Sequence, residues 1–115
     1  MMTHVWATYT TPGFHEWSGA PRVVSFLKER HRHQFYFKVT VLVDHADREV
    51  EFFCLQKSLR EFVDSSYHKK DFGCEFSGRS CEMIATEVFH HLSGNYQVVS
   101  VEVSEDNENG AIVYG

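Results

Sequence analysis

At 115 residues the chain is sized for a single domain, 1–115, with one core. Its 43% apolar and 15% aromatic content excludes a disordered chain, and a formal charge of −5 argues against a sequence-independent nucleic-acid binder, which needs a basic surface. No run approaches the ~18 apolar residues of a membrane span, so no membrane partner is expected. Met1–Trp6 lacks the basic region and apolar stretch of a signal peptide. Cys54, Cys74 and Cys81 are an odd set without Cys-x-x-Cys spacing, a poor disulfide framework and not a zinc knuckle. The expectation is a reduced, cytoplasmic protein.

In chain order, Val5–Thr10 reads as a strand closed by the turn signal Thr11-Pro12-Gly13. Residues 14–30 read as an irregular loop, long enough to be functional. A second strand runs from about His33 to Val43, and Asp44-His45-Ala46-Asp47 turns the chain. Arg48–Phe53 then has the pattern to pair back as a hairpin end. Leu55, Leu59, Phe62 and Val63 recur at helical spacing, which predicts an amphipathic helix over about 54–66. A polar, glycine-bearing loop over 67–79 follows.

Ser80 is a good N-cap, and Glu82 falls in the first turn of a second helix. Its stripe is Ile84, Val88 and Leu92, with Met83 and Phe89 alongside, and Gly94 closes it. Tyr96–Val103 and Ala111–Tyr114 predict two further strands, joined by a hairpin turn at Asn109-Gly110. Two strands, two helices and two strands pack most simply as an α+β domain: a four-stranded antiparallel sheet with both helices on one face. Such a monomer exposes a sheet face and edges, and is expected to form a homo-oligomer through them.

Eight histidines are many for this length and make metal or proton chemistry worth testing. His31 and His33 open the second strand, where residues two apart share a face. Both imidazoles can then reach one point, the geometry for gripping a metal ion. A catalytic zinc usually takes three protein ligands and keeps one open position, and His15 is the first candidate for the third. The competing readings are a His-x-His that faces water and a His15 packed on Trp17. His90 and His91 read as helix-end residues.

The element order and these motifs together resemble the 6-pyruvoyl-tetrahydropterin synthase and 6-carboxy-tetrahydropterin synthase family, the tunnelling fold or T-fold. The resemblance covers nearly the whole chain and is distant. The family's histidine near the end of the first strand is matched by His15, and its His-x-His by His31 and His33, with Arg32 in place of the usual glycine. Glu51-Phe52 followed by Leu55 is similar to the family's Asp-Phe and leucine before the first helix. Arg79-Ser80-Cys81-Glu82-Met83-Ile84-Ala85 is similar to the helix start that lies beside the pterin. Val101-Glu102-Val103-Ser104-Glu105 is similar to its last hairpin.

The resemblance implies a catalytic Zn²⁺ on His15, His31 and His33, and a pterin ring anchored by Glu105, with Ser80 and Glu82 beside it. It also implies a homohexamer, a dimer of trimers, with sites between subunits. The small-molecule substrate would be 7,8-dihydroneopterin triphosphate or a related pterin, and Lys28, Arg30, Lys69 and Lys70 are candidate partners for its anionic tail. His68 matches the family's loop histidine and is the candidate acid–base residue. The usual cysteine four residues before the histidine pair is Leu27 here, and the usual aspartate before the loop histidine is Tyr67. Some relatives use a glutamate in place of the cysteine, which makes Glu29 a second catalytic candidate. The alternative is a T-fold protein that binds metal and a pterin or purine but lacks the synthase chemistry or catalyses another reaction.

Overall fold

The computed structural model describes all 115 residues. Strand β1 (Thr3–His15) and strand β2 (His31–Val43) pair antiparallel along their whole length, from Thr3 opposite Val43 to His15 opposite His31. Helix α1 (Phe52–Ser66), strand β3 (Cys74–Ser77), helix α2 (Cys81–Leu92), strand β4 (Gln97–Glu105) and strand β5 (Asn109–Tyr114) follow. The sheet has five strands in the order β3-β1-β2-β4-β5, with β3 parallel to β1 and the other pairs antiparallel. The four expected strands and two helices are present; β3, inside the expected 67–79 loop, is the addition.

Alternation along β2 explains the layering. Phe35, Phe37, Val39 and Val41 are buried on one face, and α1 (Leu55, Leu59, Val63) and α2 (Ile84, Ala85, Val88, Leu92) close over it. Val101 and Val103 extend that core across β4. Both helices cover the same face, as expected. Met83, expected beside the α2 stripe, is instead exposed, while Phe89 packs on the core. No helix is long and apolar enough to cross a membrane.

The turn expected at Thr11-Pro12-Gly13 does not form; β1 runs through it to His15. The Pro12 carbonyl faces Gly73 on the outer edge of β1. The proline nitrogen points the same way, so the ladder to β2 loses no donor. A Cβ on Gly13 would sit 2.4 Å from the Phe76 ring, so the glycine is what lets β3 lay that ring across β1. The expected loop 14–30 shortens to residues 16–30 and carries a 3-10 segment, Arg22–Lys28.

The hairpin end expected at Arg48–Phe53 is also absent. The Glu49 carboxylate accepts the backbone N–H groups of Asp44 and His45, and Glu51 caps α1 by accepting from Cys54 N, so Phe52 and Phe53 enter the helix. The second hairpin turns earlier than expected, at Asp106 and Asn107 (both φ 56°), residue types that tolerate the left-handed region. Asn109 and Gly110 lie inside β5, opposite Glu105 and Ser104. Two edges stay open: the outer side of β5, and β1 before Gly13, where β3 pairing begins.

Candidate metal centre

Strand register alone brings the site together. His15 lies directly opposite His31 across β1 and β2, and His33 is two residues on, so the three rings share a face. That face is the one carrying Phe35, and Phe35 lies opposite Glu105 on β4. The cluster is therefore the core face continued past its last apolar residue. Ring centroids of the three histidines lie 4.5 to 5.3 Å apart, with the Phe35 ring edge-on beneath His15 at 5.4 Å.

Each imidazole is fixed at Nδ1 by an oxygen acceptor. His15 Nδ1 donates to the Arg79 carbonyl at 3.0 Å and His31 Nδ1 to the Glu29 carbonyl at 2.8 Å. His33 Nδ1 donates to the Asp106 carboxylate at 2.7 Å. A carbonyl can only accept, so Nδ1 carries the proton and a neutral ring leaves the Nε2 lone pair bare. Holding the second nitrogen on carbonyl or carboxylate is how proteins orient a ligating histidine.

His31 Nε2 and His33 Nε2 are buried without a hydrogen-bond partner. Glu105 Oε2 lies 2.7 Å from His33 Nε2, out of line for a ring N–H, and 3.5 Å from His15 Nε2. A lone pair and a carboxylate oxygen in such contact are relieved by a positive charge between them, a proton or a metal ion. The ligand atoms of His15, His31, His33 and Glu105 all fall within 4.8 Å of one another. They bracket the ~3.4 Å edge of a tetrahedron built on metal–nitrogen bonds of ~2.0–2.1 Å. The group can hold a metal ion, and its imidazole-rich donor set suits a transition metal such as zinc, copper, iron or nickel.

Electrostatics agree with a carboxylate aimed at imidazoles. The His15 contact holds Glu105 below the ordinary carboxylate range, against burial. Burial opposes a charged His15, but Glu105 and the Arg79 carbonyl outweigh it and raise its pKa. Cys81, first residue of α2, points its thiol at Glu105 Oε1 at 3.7 Å. Burial and then the Glu105 charge push that thiol up to about 12.

A cleft of about 350 Å³ opens beside the cluster, lined among others by Trp17, Leu27, Ser80, Glu82 and Glu105. Ser80 and Glu82 thus line the cleft, although the Ser80 hydroxyl also caps α2 through Met83 N. His68 and Glu29 do not line it. His68 is exposed at φ 51°, and the Glu29 side chain is exposed while its carbonyl serves His31. Tyr67 is buried, with its hydroxyl bonded to Glu87 at 2.5 Å and its pKa raised by burial and that contact, so it does not replace a titrating aspartate. Arg30 is engaged by Glu75, and Lys69 by Tyr9. The contacts made by Asp106, Cys81 and the Arg79 carbonyl are not legible in the sequence; the adjacency of Asp106 to Glu105 and the place of Cys81 in the α2 start are the only signals.

No protein-family model matches the chain, and no curated protein matches it in sequence. Solved structures do match. An uncharacterized protein from Wolinella succinogenes superposes with TM-score 0.71 at 15% identity, covering 100% of this chain and 99% of that one. The 6-pyruvoyl tetrahydropterin synthase of Caenorhabditis elegans superposes with TM-score 0.67 at 11% identity, covering 100% and 96%. The class is therefore an α+β tunnelling-fold domain. More particularly, the chain has the fold of 6-pyruvoyl tetrahydropterin synthase, in a divergent form.

Proposed function

We propose that this chain binds Zn²⁺ through Nε2 of His15, His31 and His33 and processes a pterin as a lyase of the 6-pyruvoyl or 6-carboxy-tetrahydropterin synthase type. Its substrate is 7,8-dihydroneopterin triphosphate or a close relative. The observation that carries the reading is the convergence of three imidazoles, each pinned at Nδ1, with two buried Nε2 atoms left bare. When bound, the metal supplies Lewis-acid polarisation of substrate hydroxyl and carbonyl oxygens.

The remaining work falls to the chain. Glu105 accepts ring N–H donors, a recognition that rejects rings unable to offer them. Ser80 and Glu82 edge the same cleft, and Trp17 and Leu27 wall it with apolar surface. Glu29 and His68 remain the acid–base candidates. His68 lies off its own chain's cleft, so its part requires a second copy to bring that loop to the site. The open edges of β1 and β5 suit a homo-oligomer, proposed as a hexamer. Three free cysteines suit a reducing cytoplasm.

A second reading is a metal- and pterin- or purine-binding protein without synthase chemistry. Leu27 and the engaged Tyr67 favour it, since both stand where a proton-handling group is expected. The deciding experiment is to purify the protein without a histidine tag, measure zinc per chain, and follow 7,8-dihydroneopterin triphosphate by mass spectrometry. Zinc at about one per chain with product formation supports the lyase. The same zinc with no turnover leaves the second reading, and no zinc after dialysis sinks both.

A further inference from the structure

The three histidines and the cleft do not account for one contact: the Glu105 carboxylate stands among the imidazoles rather than out in the cleft. Its Oε2 is 2.7 Å from His33 Nε2 and 3.5 Å from His15 Nε2, and Oε1 is turned away onto the Cys81 thiol at 3.7 Å. The carboxylate is thus divided, with one oxygen tethered to α2 and the other presented to the point on which three nitrogens converge. Every member of the cluster then has an outer partner: Arg79 carbonyl, Glu29 carbonyl, Asp106 carboxylate and Cys81 thiol. Outer partners of that kind are what orient the ligands of a metal.

We propose that Glu105 is a fourth metal ligand in the ligand-free protein, with Cys81 as the positioning residue that directs a single carboxylate oxygen inward. This rests on the metal reading above. Four protein ligands make a closed tetrahedral site, whereas a catalytic site keeps one position open. The metal here is therefore masked until a small molecule draws Glu105 away. A ring whose adjacent N–H groups bond the carboxylate does that, and in doing so frees the fourth position for its own oxygen. The same residue then serves as lid and as ring anchor, and both roles cannot be filled at once.

The test uses Co²⁺ as a visible-absorbing substitute for zinc and azide as a small exogenous ligand. The wild-type Co²⁺ spectrum is expected to ignore azide at concentrations that shift the bands of Glu105→Ala, where the fourth position is open. Glu105→Gln, closer in shape, covers the case in which Glu105→Ala does not fold. Cys81→Ala is expected to weaken Co²⁺ binding about 10-fold, the usual effect of removing an outer partner. A wild-type spectrum that responds to azide like the Glu105 variants overturns the fourth ligand. Unchanged Co²⁺ affinity in Cys81→Ala overturns its positioning role. Failure of wild-type protein to bind Co²⁺ overturns instead the metal reading beneath.

Discussion

Strand β2 is one strand with two characters. From Phe35 to Val43 its inward residues are apolar and lie under α1 and α2; at His31 and His33 the same face carries imidazoles. The two-residue period does not change between these stretches, only the chemistry it presents. Helix α2 begins at Cys81 beside the histidines and ends at Leu92, whose carbonyl receives Tyr96 N just before β4. Its cover therefore gives out where the polar stretch begins. The apolar end supplies stability, and the polar end uses the rigidity so gained to hold donors facing one another without a partner of their own.

Phe35 is the boundary between the two, fully buried and edge-on to both His15 and His33. Phe35→Ala removes core packing and the floor of the cluster together. The expected loss is about 3–5 kcal/mol, a large share of the ~5–15 kcal/mol that holds a domain together. Urea denaturation of metal-free protein measures it. A loss below about 0.5 kcal/mol, within the range of ordinary surface substitutions, would mean the two ends are not mechanically joined.

Four residues further out the balance reverses. His31→Ala is expected to change metal-free stability by about 1 kcal/mol or less while abolishing the stabilisation that zinc gives. That stabilisation is about 2.7 kcal/mol when free metal is 100 times its dissociation constant. Thermal unfolding with and without zinc separates these effects: the wild type is expected to shift and His31→Ala to stay put. An equal zinc shift in both proteins would move the metal elsewhere.

The difference between the ends also marks what the sequence could tell. Periodicity was enough for β2, for both helices and for the shared face of His31 and His33, because each is a repeating pattern within one segment. β1 was cut short at Thr11-Pro12-Gly13, since the reason those residues stay extended lies across the sheet, in Phe76 over Gly13 and Gly73 beside Pro12. The four residues of β3 carry too little pattern to be read as a strand. Glu105 came from the resemblance and not from spacing. The fixing of each Nδ1 was illegible for a plainer reason: two of the three acceptors are backbone carbonyls, which no side-chain identity announces.

The third acceptor is a side chain and can be tested. Asp106 binds His33 Nδ1 through Oδ2 and the backbone N–H of Gln34 through Oδ1, and those contacts hold its carboxyl below the ordinary range. Asp106→Asn keeps a residue suited to the left-handed turn, removes the charge and turns one of the two acceptor oxygens into an N–H donor, so that only one of these two contacts survives. Zinc affinity is expected to fall about 10-fold, with little change in metal-free stability. A competition titration against a chelator reads the first and denaturation the second. If stability falls and affinity does not, Asp106 belongs to the hairpin alone.

The last expected effect concerns the apolar end and is confined to alkaline pH. Cys74 is fully buried between Thr11 and Val63, and burial pushes its thiol up to about 11 from 9.0. Between those values the unfolded chain gives up the proton while the native chain keeps it. The raised group therefore stabilises the fold fully below pH 9 and loses that contribution as pH climbs through about 11. One proton accounts for ~1.4 kcal/mol per pH unit of slope. Tyr67 and Cys81, also raised, contribute to the same alkaline limb. Cys74→Ala is thus expected to make that limb shallower by one proton, whatever it does to stability at neutral pH. Denaturation midpoints across pH 8 to 11 measure the slope. An unchanged slope would show that Cys74 ionises as readily in the native protein as in the unfolded chain, and that the apolar end is less sealed than the burial of Phe35 and Phe76 implies.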